Sequence, residues 1–234
     1  MPSAHIDTFA RDHLPPPDQQ PEFVFELPEL QLPSQLNCAS ELLDKPIAQG
    51  RGERICIRAP GVQWTWRDLQ ERADRIAHVL VRDMGVLPGN RVLLRAPNNP
   101  MLAACWFGVI KAGAIAVATM PMLRAKELKA IIDIGRVTHA LCDATLADEL
   151  MAVTPSLTQW RLFNSDSGDG NQSLEAAMRR HDAPFAAVDT AADDTCLFAF
   201  TSGTTGVPKA TMHFHRDLIA ACRCWPPHVL KPTP

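Results

Sequence analysis

The sequence predicts an α/β protein built on a largely parallel β-sheet with helices on both faces. Strand-like and helix-like segments alternate along most of the chain, which is the pattern of repeated βα units. The strand segments, such as "AIAVATM" and "VTHALCD", are continuous apolar runs and not alternations, as expected where both faces of a sheet are covered. A chain of 234 residues, 46% of them hydrophobic, has enough apolar mass for a sizeable core in one or two domains.

The elements follow in order. Prolines recur every few residues in "HLPPPDQQPEFVFELPELQLPSQLN". They prevent long helices and make residues 1–45 an extended, proline-rich segment. "ERICIRAPGVQWTW" reads as a hairpin turning at Pro60-Gly61. Thr65 is suited to cap the next helix, and Asp68 supplies the acidic variant of a capping box. Leu69, Ala73, Ile76, Leu80 and Met84 then recur at helical spacing until Gly85 closes the helix. "LPGNRVLLRAP" is a turn and a strand. "NNPMLAACWFGVIKAG" is a helix capped by Asn98 or Asn99 and stopped by Gly113, with Lys111 expected as a solvated helix end. The strand "AIAVATM", the helix "RAKELKAIIDIG", the strand "VTHALCD" and the helix "TLADELMAV" come next. "TQWRLFN" is a strand, "SDSGDGNQ" a loop, "SLEAAMRRHD" a helix and "DTCLFAF" a further strand.

Composition removes several classes of function. A net charge of −3 offers no basic stripe for nucleic acid. Seven cysteines without regular spacing fit reduced thiols and a cytoplasmic location better than a disulfide framework. Cys222 and Cys224 lie near His213, His215 and His228. Positions two apart on a helix face different sides, so no metal site is expected there. The opening "MPSAHIDTFARDHLPPP" has no apolar core of a signal peptide. The apolar run at residues 103–120 is interrupted by Lys111 and Gly113 and stopped by Pro121. It reads as a buried helix followed by a buried strand, so no membrane partner is expected. The five tryptophans are expected in the core and not as stacking platforms.

The chemistry concentrates in "FAFTSGTTGVPKATMHF", residues 198–214. Thr201, Ser202, Thr204 and Thr205 bring hydroxyls, Gly203 and Gly206 allow close backbone approach, and Lys209 adds a mobile cation. Amides, hydroxyls and a lysine together suit the oxygens of a phosphate chain. An ordinary polar turn uses the same residue types, but their concentration here favours the phosphate reading. A Walker loop is a poor match, because the glycines are too close together and "ATMHF" reads as a strand. The loop begins where the strand "DTCLFAF" ends, which is where open α/β sheets bind ligands. His213 and His215 flank Phe214, and strand alternation would put both on one face. Packing, or entry into a helix ahead of Arg216 and Asp217, is expected of them.

"TSGTTGVPKA" resembles the signature [ST]-S-G-[ST]-T-G-x-P-K-G of the adenylate-forming superfamily, which includes acyl-CoA synthetases, luciferases and peptide-synthetase adenylation domains. Only Ala210 departs from it, standing where glycine is usual. "WTWRDLQERADRIAHVLVRDMGVLPGNRVLL" and "NNPMLAACWFGVIKAGAIAVATMPMLRAKEL" are similar to supporting segments of that family, and the resemblance runs from about residue 40 onward. "HIDTFARDHLPPPDQQPEF", "LNCASELLD" and "HFHRDLIAACRCWPPHVLKP" resemble the 2-aminobenzoate–CoA ligase branch, near the benzoate–CoA ligases.

The resemblance implies that residues 46–234 belong to the large N-terminal AMP-binding domain of such an enzyme, with a phosphate loop at 201–210. In this family a carboxylate attacks the α-phosphate of Mg-ATP to give an acyl-adenylate and pyrophosphate, and CoA then displaces AMP. The implied small molecules are ATP, Mg²⁺, CoA and an aromatic carboxylate such as 2-aminobenzoate or benzoate. The resemblance assigns Thr201, Ser202, Gly203, Thr204, Thr205, Gly206 and Lys209 to the β- and γ-phosphates. The family's groups for adenine, ribose and Mg²⁺, and its catalytic lysine, lie beyond this motif. The expectation is therefore an incomplete AMP-binding domain without the C-terminal domain, without catalytic or metal residues of its own, and inactive alone. Two alternatives stay open: another acyl or carrier-protein adenylating ligase, and a non-catalytic ATP- or pyrophosphate-binding module.

Overall fold

The computed structural model describes residues 3–165, 170, 172–201 and 208–231. Prolines keep the first part irregular, apart from the short helix α1 (Phe9–Asp12) and 3₁₀ turns at Pro17–Gln19 and Pro28–Leu30. π-Helical turns at Ser40–Asp44 and Ile47–Arg51 lie on both sides of the boundary expected at residue 45. This segment is woven into the fold. Ala10, Cys38 and Leu43 are fully buried, and the Asn37 amide donates to Ile110 O and Val188 O, both at 3.0 Å.

Strands β1 (Ile55–Ala59) and β2 (Val62–Thr65) form a separate two-stranded antiparallel sheet. Its turn needs the positive φ of Gly61, 71°. Thr65 then caps α2 (Trp66–His78). Its hydroxyl accepts from Asp68 N–H at 3.1 Å, and the Asp68 carboxylate accepts from Thr65 N–H at 2.9 Å. The predicted stripe Leu69, Ala73, Ile76, Leu80 and Met84 is buried throughout. The Asn99 side chain caps α3 (Pro100–Lys111), accepting from Leu102 N–H at 2.9 Å.

The main sheet has six strands in the order β6-β5-β3-β4-β7-β8. Strands β3 (Arg91–Arg95), β4 (Ile115–Thr119), β5 (His139–Asp143), β6 (Gln159–Phe163) and β7 (Thr195–Thr201) run parallel. Strand β8 (Lys209–Phe214) closes one edge antiparallel to β7. Alternate residues feed two cores. Val92, Leu94, Ala116, Leu141 and Cys196 join the core under α2, α3, α6 (Leu174–Met178) and α7 (His215–Trp225). Leu93, Ile115, Val117, Ala140 and Phe198 join the other, under α4 (Ala125–Gly135) and α5 (Ala147–Met151). The α/β architecture with helices on both faces is thus the one the sequence predicts.

Three side-chain expectations change. Lys111 is not solvated: it is 1% exposed and paired with Asp74 and, at 2.8 Å, with Asp44. The last turn of α3 lies beneath α2 and the Ser40–Asp44 turn, so the ammonium is covered and two carboxylates compensate it. His213 and His215 do not share a strand face, because β8 ends at Phe214; His215 instead opens α7, buried, in the packing and helix-entry role expected of it. Of the five tryptophans, Trp64, Trp66, Trp106 and Trp160 pack half-buried at core margins, whereas Trp225, at the end of α7, is 58% exposed.

Candidate functional site

The signature loop joins β7 to β8. The two strands pair as a hairpin, with Phe200 opposite Ala210 and Thr201 opposite Lys209. Thr201 and Lys209 are both exposed at the open end of that hairpin. Ser202, Gly203, Thr204, Thr205 and Gly206 lie outside the described residues. The structure therefore brings together the first and last residues of the predicted set at the carboxyl edge of the sheet. A hairpin is also the topology an ordinary polar turn would use, so the chemistry of the residues carries the argument.

The hairpin is anchored on both its faces. Phe198, Phe200, Ala210 and Met212 pack on one core, while Cys196 and Leu197 pack on the other. Ala210, the single departure from the signature, sits in regular strand pairing and packs its methyl against that core. Glycine's conformational freedom is not needed at a position with strand geometry.

Two charged residues that sequence reasoning did not single out organise the same edge. Arg95, 1% exposed, ends β3 and donates to Leu123 O at 2.9 Å, Pro121 O at 3.1 Å, Met120 O at 3.3 Å and Leu146 O at 3.3 Å. One guanidinium thereby ties the loops after β4 and β5 to the end of β3. Asp143 ends β5 and accepts from the Thr145 hydroxyl at 2.6 Å, the Asn164 amide at 2.7 Å and the Asn99 amide at 2.9 Å. Burial pushes this carboxyl up, but the donors from Thr145, Asn164 and Asn99 outweigh it and hold Asp143 below its ordinary value. The available signal was a charge closing an otherwise apolar strand, in "RVLLR" and "HALCD".

A cavity of about 600 Å³ opens between the β1–β2 hairpin and α3. Ile57, Leu94, Asn98, Trp106, Phe107 and Ala118 are among its walls, and no described residue of the signature lines it. Its walls are mainly apolar, so it suits a hydrophobic group and not a phosphate.

The family model described as AMP-binding enzyme matches residues 45–233. The 3-hydroxybenzoate–CoA/4-hydroxybenzoate–CoA ligase of Thauera aromatica is 29% identical over 83% of this chain and 38% of its own length. Benzoate–CoA ligase of Thauera aromatica is 26% identical over 82% of this chain and 36% of its own length. The chain thus spans less than two fifths of the length of these two curated relatives. Among solved structures, the anthranilate CoA ligase AuaEII in complex with anthranoyl-AMP superimposes with a TM-score of 0.80. The match covers 87% of this chain and 39% of that one, and at 22% identity it is a likeness of fold.

Proposed function

The chain belongs to the AMP-binding enzyme family, and from that premise we propose that it supplies the ATP-phosphate site of a carboxylate–CoA ligase acting on an aromatic acid, 2-aminobenzoate or a benzoate. The observation that carries the reading is the concentration of hydroxyls, glycines and a lysine in the signature, whose ends Thr201 and Lys209 pair at the carboxyl edge of a parallel sheet. The aromatic class is favoured by relatives named for benzoate and hydroxybenzoates and by a structural neighbour that holds anthranoyl-AMP.

In this reading residues 46–234 form an incomplete AMP-binding domain of a cytoplasmic enzyme, and the loop from Thr201 to Lys209 wraps the β- and γ-phosphates. Hydroxyls of Thr201, Ser202, Thr204 and Thr205 and the loop amides stabilise negative charge as pyrophosphate leaves, while Lys209 contributes the cation. Gly203 and Gly206 keep the backbone close to the phosphates. Mg²⁺ arrives with ATP as substrate, and CoA takes the acyl group from the adenylate. Holding phosphates is local to the loop. Making the thioester also needs a bound adenosine, a held metal and a cation over the α-phosphate, which the family places after this motif.

The test compares full-length protein, its Lys209→Ala variant and residues 1–234 alone, with 2-aminobenzoate or benzoate, ATP, Mg²⁺ and CoA. Lys209→Ala should slow pyrophosphate release about 10- to 100-fold, since a charge-assisted phosphate contact contributes about 1.5–3 kcal/mol. Residues 1–234 should bind pyrophosphate and form no acyl-CoA. Unchanged kinetics in Lys209→Ala would remove the lysine from the site. Thioester formation by residues 1–234 within about tenfold of the full-length rate would require a different catalytic set.

A further inference from the structure

Three metal-binding side chains from distant parts of the chain meet in the interior. Cys38 lies just before the Ser40–Asp44 turn, Cys196 is the second residue of β7, and His215 is the first of α7. One ligand atom from each lies within 4.8 Å of the other two. Cys38 and Cys196 are completely buried and His215 is 1% exposed. His215 Nδ1 stands 3.2 Å from Cys38 Sγ and accepts the Cys38 N–H at 3.1 Å. Its Nε2 is buried with no hydrogen-bond partner among the described residues. Cys196 Sγ donates a long bond, 3.5 Å, to His213 O.

We propose that Cys38, Cys196 and His215 form a binding site for a thiophilic divalent cation of the zinc class. Two sulfurs and an imidazole are the soft-to-borderline donor set that selects zinc over magnesium or calcium, and no carboxylate belongs to the cluster. A tetrahedral ion holding sulfur at about 2.3 Å and nitrogen at about 2.0 Å needs ligand atoms roughly 3.5–4 Å apart. A set already within 4.8 Å reaches that by small side-chain adjustments. Binding displaces two thiol protons to solvent, and the two thiolates then balance the dication, so no net charge is left in the apolar interior. Nδ1 exchanges its bond from the Cys38 amide for the metal. The fourth position is left to a non-protein ligand. Such an ion would join the N-terminal segment to the strand that leads into the phosphate loop and to the helix that follows it. It is separate from the Mg²⁺ that accompanies ATP.

The experiment titrates reduced, metal-free chain with Co²⁺ under anaerobic conditions. We expect one tetrahedral site, seen as a near-ultraviolet thiolate-to-cobalt band with visible d–d bands, both bleached by one equivalent of Zn²⁺. Cys222→Ser/Cys224→Ser should keep these bands, because that pair lies on α7 away from full burial. Cys196→Ser should lose them. Since a core serine can unfold the chain, zinc-edge X-ray absorption on the Zn²⁺-loaded Cys222→Ser/Cys224→Ser protein provides a second readout. Two sulfurs and one imidazole nitrogen are expected around the metal. An all-oxygen shell, loss of the cobalt bands in the Cys222/Cys224 variant, or a Cys38–Cys196 disulfide in a protein that takes up no metal once reduced would each overturn the proposal.

Discussion

Lys111 shows how much one buried charge asks of its neighbours. It is 1% exposed between Asp44 and Asp74. Burial raises the Asp74 carboxyl more than the Lys111 hydrogen bond and charge lower it. Lys111→Ala leaves these carboxylates without their partner and should destabilise the chain by about 3–5 kcal/mol, read from urea unfolding at neutral pH. Lys111→Met combined with Asp74→Leu should recover much of that loss, because apolar replacement of a buried pair costs little. Asp143 behaves in the opposite sense. Its folded-state pKa lies below the ordinary value of 3.8 despite burial. Its contribution is therefore complete above that value and fades as pH falls through the lower folded one. Asp143→Asn should cost about 1.5–3 kcal/mol at pH near 7. Unfolding curves of the two proteins should draw together in acid, and a pH-independent gap would mean that the carboxylate's charge contributes nothing.

Among the elements, the crossing of α2 and α3 depends on one glycine. A Cβ at Gly108 would lie 2.7 Å from Ile76 Cγ2, 2.9 Å from Ile76 Cβ and 3.1 Å from Ala73 O. Two of those atoms belong to or adjoin the α2 backbone and cannot swing aside. Gly108→Ala gains roughly 1 kcal/mol of helix propensity, and overpacking costs about 1–3 kcal/mol. The net should be a lower denaturation midpoint, and a stabilised variant would show that the helices separate freely. At the edge of the sheet, the β7–β8 hairpin holds Thr201 across from Lys209 through side chains in both cores.

The whole molecule shares one six-stranded sheet between two cores, and the N-terminal segment belongs to both. Leu36, Cys38 and Leu43 join one core and Ala10 the other. Asp7 pairs with buried Arg91, whose guanidinium also reaches Gly135 O at 3.0 Å and Arg136 O at 2.6 Å. This coupling predicts a single unfolding transition, with tryptophan fluorescence and far-ultraviolet circular dichroism losing signal at the same urea concentration. Two separated transitions, one removed by deleting residues 3–45, would establish that segment as an independent unit.

Local chemistry determined a large part of this protein. The turn at Gly61, the caps at Thr65 and Asn99, the stripe from Leu69 to Met84 and the apolar strands are readable in sequence, because each depends on residues a few positions apart. The family signature is readable for the same reason, since its hydroxyls, glycines and lysine are contiguous. What the tertiary structure decided are pairings across long separations. The burial of Lys111 by Asp44 and Asp74, the carbonyls gathered by Arg95, and the meeting of Cys38, Cys196 and His215 each join segments that no local period relates. A lysine near a helix end looks solvated until another helix is laid over it. A cysteine looks inert until a second sulfur and an imidazole are folded against it.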